Sequence, residues 1–199
     1  MPKYGPPLDS LVRCPWSHRS ALEINYHDTE WGRPCFDTQK LFEYLILDTF
    51  QAGISWRIIL QKREGFRAAF YNFSAQAMAA MSDHELEFLL QNPAIIRNRL
   101  KVWAARKNAR VFLEVEEKNP GGFAHLIWKH VKGIPIVNTY TDQTQVPAKT
   151  IVSEALSKEL NKTGFSFFGP VTAYAFMQAA GLVNDHLVTC HCHPANIVA

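Results

Sequence analysis

Cysteine is scarce in this chain, with four residues in 199. They do not form the pattern of a small disulfide-bonded secreted domain, and they fit a reducing cytoplasm. Long apolar runs are also missing. Stretches such as Val171 to Met177 fall far short of the roughly 20 residues that cross a bilayer. No basic-then-apolar leader opens the sequence, so neither secretion nor a membrane partner is expected. Walker loops, GxGxxG turns and internal repeats are absent, which removes the common phosphate-cradling and solenoid architectures. Strand signals are few, so the expected class is all-α. Acid is missing from one long stretch. No Asp or Glu lies between Phe88 and Leu113, where six Lys and Arg residues stand.

What remains is a chain able to build a core. Apolar residues make up 47% and charged ones 20%, enough for one large domain or two small ones. The net charge of +3 permits a nucleic-acid partner without arguing for one, so the placement of charge matters more than its sum.

Helix signals are regular. Asp37 is a plausible N-cap for a helix through Asp48, with Gly53 as its stop. Leu41, Tyr44, Leu45, Asp48 and Ala52 share a face, which sets a carboxylate on an apolar stripe. Either something pairs with Asp48, or it bonds nearby backbone, or it rotates outward. Ser55 can cap a helix starting at Trp56, and Ser74 one running to Met81. Ser82-Asp83-His84-Glu85 matches a capping box. After Asn92-Pro93, the segment Ile95 to Lys101 leads into a long helix through about Val115. There Val102, Ala105, Ala109 and Phe112 form an apolar face, and Arg99, Trp103, Arg106 and Arg110 a basic one. Two helices joined by a tight turn amid positive charge can hold a phosphate. Residues 132–149 are polar and aperiodic and read as a loop. Helices follow from Ile151 to Leu160 and from Val171 to Ala180, the second with Pro170 in its first turn.

His186 and Cys190 stand four apart, and a helix would place both on one face. They supply half of a tetrahedral zinc shell, and Cys14 with His27 could supply the rest. His191, Cys192, His193 and Cys35 are rival ligands. On such a helix His191 and Cys192 point elsewhere, and His193 is the most credible substitute.

Several motifs then add up. Cys14, Trp16, Tyr26-His27-Asp28 and Glu30-Trp31-Gly32 are followed by Leu41-Phe42-Glu43 and Gln51-Ala52-Gly53-Ile54-Ser55-Trp56. Ile95-Ile96-Arg97-Asn98-Arg99, Phe176-Met177-Gln178-Ala179 and Gly181-Leu182-Val183-Asn184-Asp185-His186 complete the order. From about Arg13 to Pro194 this resembles the DNA-3-methyladenine glycosylase I family.

The resemblance implies an all-α helix-hairpin-helix DNA glycosylase fold, with a structural zinc on Cys14, His27, His186 and Cys190 joining the N- and C-terminal segments. It implies a DNA-repair enzyme, monomeric and in the bacterial cytosol, that flips and excises 3-methyladenine from double-stranded alkylated DNA. Asp48 is the expected catalytic and base-recognition group. Trp16, Tyr26, Trp31 and Trp56 are expected around the base, with about two of the four rings touching it. Gly53 and Ile54 would fill the gap left by the flipped base, and Arg97, Arg99 and Lys101 would grip the backbone. No lysine stands where a Schiff base would form, and Asp142 reads as a solvated turn residue rather than an activating carboxylate. The expected organisation is an arm at 1–12, a single unit at 13–194 and a tail at 195–199. Within the unit, a hairpin subdomain spans about 37–150, and a zinc-stapled one combines 13–36 with 151–194.

The chain departs from the family at three places. Asp48-Thr49 stands where Glu-Gly is usual, Leu100 replaces a hairpin glycine, and the arm is longer. The first change raises an alternative, a non-catalytic or altered-specificity protein that binds alkylated DNA. A third possibility, an enzyme acting on free nucleobases or nucleosides, is opposed by the basic hairpin.

Overall fold

The structure, a computed structural model, describes residues 9–197. Nine α-helices dominate among them: α1 (Ala21–Thr29), α2 (Thr38–Gln51), α3 (Trp56–Ala69), α4 (Ala75–Ala80) and α5 (Asp83–Leu89), followed by α6 (Arg99–Lys118), α7 (Gly122–Trp128), α8 (Ile151–Thr163) and α9 (Pro170–Ala179). The caps explain their starts. Asp37 accepts from the Lys40 N–H, Ser74 from Ala77 and Asn98 from Lys101, and Ser82 with Glu85 forms the expected capping box. Ser55 precedes α3 but makes no side-chain cap bond. Among the described residues no helix is long and apolar enough to cross a membrane.

Helix α2 is the axis of the molecule. Every residue from Leu41 to Phe50 is buried, so it is surrounded rather than amphipathic. Packed against it are α3, α6, α7 and α9. The long helix α6 divides as its sequence predicts: Val102, Ala105, Ala109 and Phe112 are buried, whereas Arg99 and Arg110 face outward.

Two expectations need correction. The chain is mostly helical but not purely so, because β1 (Ile136–Val137) pairs in parallel with β2 (Val183–Asn184), Ile136 facing Val183. β1 lies in the segment read as a loop; its partner is 47 residues away, beyond any local pattern. Residues 185–193 form turns, not a helix. The arm at 1–12 falls mostly outside the described residues.

The termini meet through backbone as well as side chains. Gly32 N–H donates to Gln178 O at 2.8 Å, and Cys35 N–H to Ala180 O at 3.0 Å. Gly181 permits this approach: its φ is +70°, and a Cβ there would collide with the Arg33 backbone.

Candidate functional site

A cavity of about 330 Å³ opens between the ends of α2 and α9, the start of α3 and the 143–148 loop. Trp16, Tyr26, Trp31, Asp48 and Trp56, the residues expected around the base, all line it. The rings form a continuous wall. Trp16 meets Trp31 edge-on at 5.1 Å, and Tyr26 meets Trp56 at 5.1 Å. Gln51, Gln143, Val146, Tyr174 and Gln178 also line it. The 143–148 contribution has no periodic signal to reveal it. Asp142 is exposed and caps the turn at Gln143–Gln145, donating nothing to the cavity itself.

Asp48 is 2% exposed, and its Oδ2 has no hydrogen-bond partner among the described residues. Burial alone pushes its carboxyl well above the ordinary range. Tyr26 is also pushed up, by burial and then by Asp48, and keeps its phenol proton. Trp56 Nε1 is a second buried polar atom without a partner among the described residues. Unsatisfied groups of this kind are costly unless a ligand completes them.

The turn after α2 is exposed at Gly53, where φ is +82°, and half-buried at Ile54. Arg97 and Arg99 are exposed in the α5–α6 hairpin; Arg99 pairs with Glu87 and lies 4.3 Å over the Trp103 ring. Lys101 differs from the expectation. It is buried, and its Nζ donates to Phe50 O at 2.9 Å and Ala52 O at 2.7 Å. The ammonium therefore caps the C-terminus of α2, where carbonyls lack helical partners. It ties the hairpin to the helix that carries Asp48, and it is not at the surface to meet a phosphate.

Sequence reading also missed a buried ion network under the wall. Arg63 donates to Glu30 through both Nη atoms at 2.7 and 2.8 Å, and to Glu43 through Nε at 2.7 Å. Burial opposes the Glu30 charge, but Arg63 and Lys40 outweigh it and hold the carboxyl down at about 2. The result fixes α1 against α2 and α3.

Behind Trp16 and Trp31 lies a thiol–imidazole cluster. The ligand atoms of His27, His186, Cys190 and Cys192 all fall within 4.8 Å of one another. Each histidine is oriented from outside. His27 Nδ1 is 2.7 Å from Asp28 Oδ1, and His186 Nδ1 is 3.0 Å from Asn184 Oδ1. That leaves Nε2 of both rings facing inward, and His186 Nε2 is buried without a partner among the described residues. Burial, then His27, lowers the His186 pKa to about 4, so the ring is neutral. A neutral imidazole whose outer nitrogen is fixed by an oxygen is the usual arrangement of a metal ligand. The donor set therefore fits a divalent, thiophilic ion.

Cys192 enters this cluster because residues 185–193 turn rather than coil; the helical expectation aimed it elsewhere. Cys14 lies outside the group of four but touches Cys190, and its Sγ accepts the Leu187 N–H at 3.4 Å. Cys190 Sγ likewise accepts the Cys192 N–H at 3.4 Å. Hydrogen bonds from the Cys14 and Cys192 thiols press Cys190 toward the thiolate, and those two are pushed up in turn. His193 is spent on backbone, with Nε2 against Asn138 O and Nδ1 accepting from Ala195. Cys35 sits apart, its Sγ 3.9 Å from Asp37 O.

The structure is thus a helical body with a ring-walled cavity and a basic hairpin. Comparison with known proteins supplies the family. The family model for methyladenine glycosylases matches residues 16–193. The DNA-3-methyladenine glycosylase of Haemophilus influenzae is 48% identical over 181 residues, covering 91% of this chain and 97% of that protein. A crystal structure of 3-methyladenine DNA glycosylase I superposes with a TM-score of 0.90 at 45% identity, covering 92% of this chain and all of that one. A variant of 3-methyladenine DNA glycosylase I in complex with 3-methyladenine superposes with a TM-score of 0.88 at 34% identity, covering 92% and 97%. The chain belongs to the methyladenine glycosylase family.

Proposed function

We propose that this chain is a monofunctional DNA glycosylase that excises 3-methyladenine from alkylated double-stranded DNA. The observation that carries the proposal is the cavity itself, ring-walled and with an unpartnered buried carboxyl on its lining. Membership of the family and the relative seen with 3-methyladenine support the same substrate.

Methylation at N3 places a positive charge on adenine, which weakens the bond from C1′ to N9. Little acid catalysis is then needed. The enzyme must extract the nucleotide, hold the base and admit water. Water oxygen bonds to C1′, the C1′–N9 pair passes into the ring and neutralises it, and the water loses a proton. Trp16, Tyr26, Trp31 and Trp56 attract the cation through their π faces. Asp48 pairs with the base edge and, once ionised, favours its charge. Gly53 and Ile54 occupy the space left in the stack and offset part of the extrusion cost, a few kcal/mol. Arg97 and Arg99 hold the backbone, and Lys101 serves by fixing the end of α2 and the turn before Gly53 to the hairpin.

In this reading Cys14, His27, His186 and Cys190 hold a structural zinc ion, which would staple the termini and supply no chemistry at the base. Cys14 is preferred to Cys192 because a backbone N–H donates to its sulfur, as one does to Cys190, whereas among the described residues none donates to Cys192 Sγ, which meets the His191 ring and the Cys190 thiol. The protein acts as a monomer in the bacterial cytoplasm.

The test is chromatography of bases released from methylated duplex DNA by the zinc-loaded protein. Free 3-methyladenine is expected from wild type, and much less from Asp48→Asn. Salt-sensitive binding of the duplex without release of any base would refute the proposal.

A further inference from the structure

Asp185 is buried behind the cavity and collects three donors. Asn138 Nδ2 donates to Oδ1 at 2.7 Å, while the Tyr174 hydroxyl and Gln178 Nε2 donate to Oδ2 at 2.6 and 2.8 Å. Tyr174 and Gln178 stand one turn apart on α9, and both line the cavity.

Asp185 Oδ2 accepts from both Tyr174 and Gln178, so Asp185 decides how both neighbours face. The Tyr174 proton is committed to it, which leaves the hydroxyl oxygen as an acceptor. The Gln178 amide turns Nε2 to Asp185, and reversing it would set oxygen against oxygen. Its Oε1 is therefore the free end, and it makes no hydrogen bond of its own among the described residues. This side of the cavity offers acceptors and no donors.

Asp48 does not impose such a rule, because a carboxyl can donate when protonated and accept when ionised. Gln178 has no such choice. Adenine carries an amino group at C6, a donor, where guanine carries a carbonyl, an acceptor. We propose that Gln178, locked by Asp185, is a specificity-determining residue that accepts from the exocyclic amino group of a methylated adenine and rejects the C6 carbonyl of a methylated guanine. Asp185 is the positioning residue behind it. The inference rests on the glycosylase reading and specifies its base preference.

The experiment measures kcat/KM for release of 3-methyladenine and of 3-methylguanine from methylated DNA, by wild type and by Gln178→Met. Methionine has similar length and good helix propensity, and circular dichroism checks that the variant folds. The adenine-to-guanine ratio is expected to fall on the order of tenfold, the equivalent of one lost hydrogen bond. A ratio unchanged in the folded variant overturns the proposal while leaving the glycosylase reading intact. A second measurement needs no variant. Tryptophan fluorescence of wild type is titrated with free 3-methyladenine and with 3-methylhypoxanthine, which has a carbonyl in place of the amino group. The second is expected to bind about tenfold more weakly, and equal affinity overturns the proposal. Release of no methylated base by wild type would remove the glycosylase reading and this inference together.

Discussion

Asp48→Asn is expected to stabilise the empty protein at neutral pH while crippling base release. The wild-type carboxyl is 2% exposed, one oxygen lacks a partner, and burial is the sole cause of its raised pKa. The folded state therefore binds the proton more tightly than the unfolded chain does. Folding is least penalised below the ordinary value of 3.8, and stability is lost as pH rises from there through the folded pKa. The loss cannot exceed about 1.4 kcal/mol per pH unit, which sets a ceiling of about 4 kcal/mol at pH 7. Asparagine has the same shape and no such penalty. Its amide still sits in the unpartnered position, at a cost of about 1–3 kcal/mol. The net gain at pH 7 is thus at most about 1–3 kcal/mol, and near pH 4, where the acid bears no such penalty, it turns into a loss of about 1–3 kcal/mol. For a chain of this size each kcal/mol moves Tm by about 2–4 °C. Thermal melts of both proteins from pH 4 to pH 8 are compared, and titrations common to the two cancel in the difference. Parallel curves, or a variant that loses ground as pH rises, would refute the claim that Asp48 is buried at a cost.

Cys14→Ser is expected to lose its bound metal and Cys192→Ser to keep it, read as zinc per chain by mass spectrometry of the purified proteins; the opposite result would transfer the fourth ligand to Cys192. Arg97→Ala is expected to reduce the slope of log affinity against log salt by about 1, as loss of one phosphate contact does. Lys101→Met should leave that slope unchanged and lower stability by about 1–3 kcal/mol, because Phe50 O and Ala52 O lose a charged donor. A shallower slope in Lys101→Met would put its ammonium on DNA after all.

Local chemistry made much of the helical frame legible. Asp37, Ser74 and Ser82 announce helix starts because a cap acts within three residues of itself. The gathering of Trp56 with the other rings is visible only through the resemblance, since Trp16 and Trp56 share no period. The failures have a common physical source in contacts far apart in the chain. Lysine amid arginines reads as surface, and nothing near Lys101 discloses that α2 ends beneath it. Residues 132–149 carry no period because their order comes from a partner strand and from a cavity they help to close. His186 and Cys190 were grouped correctly for a reason that does not hold, since turns bring them together. The same turns admit Cys192.

Asp48 in place of the usual glutamate need not weaken the proposed chemistry. Thr49 beside it is fully buried and bonds Leu45 O at 2.9 Å, so the shorter acid is accompanied by a side chain that fills and fixes the helix. What the site requires is a carboxyl that is uncomfortable alone. A neutral adenine offers no charge to offset the cost of ionising the acid. A methylated adenine brings a cation, which lowers the cost of ionising Asp48 beside it and lets the proton leave. The desolvation penalty that the empty protein bears is thereby returned only to a charged base, because opposite charges at close range favour each other far more in a dry cavity than in water. In the proposed mechanism, discrimination between damaged and intact adenine follows from burial of this single acid, with no separate group needed to recognise the methyl.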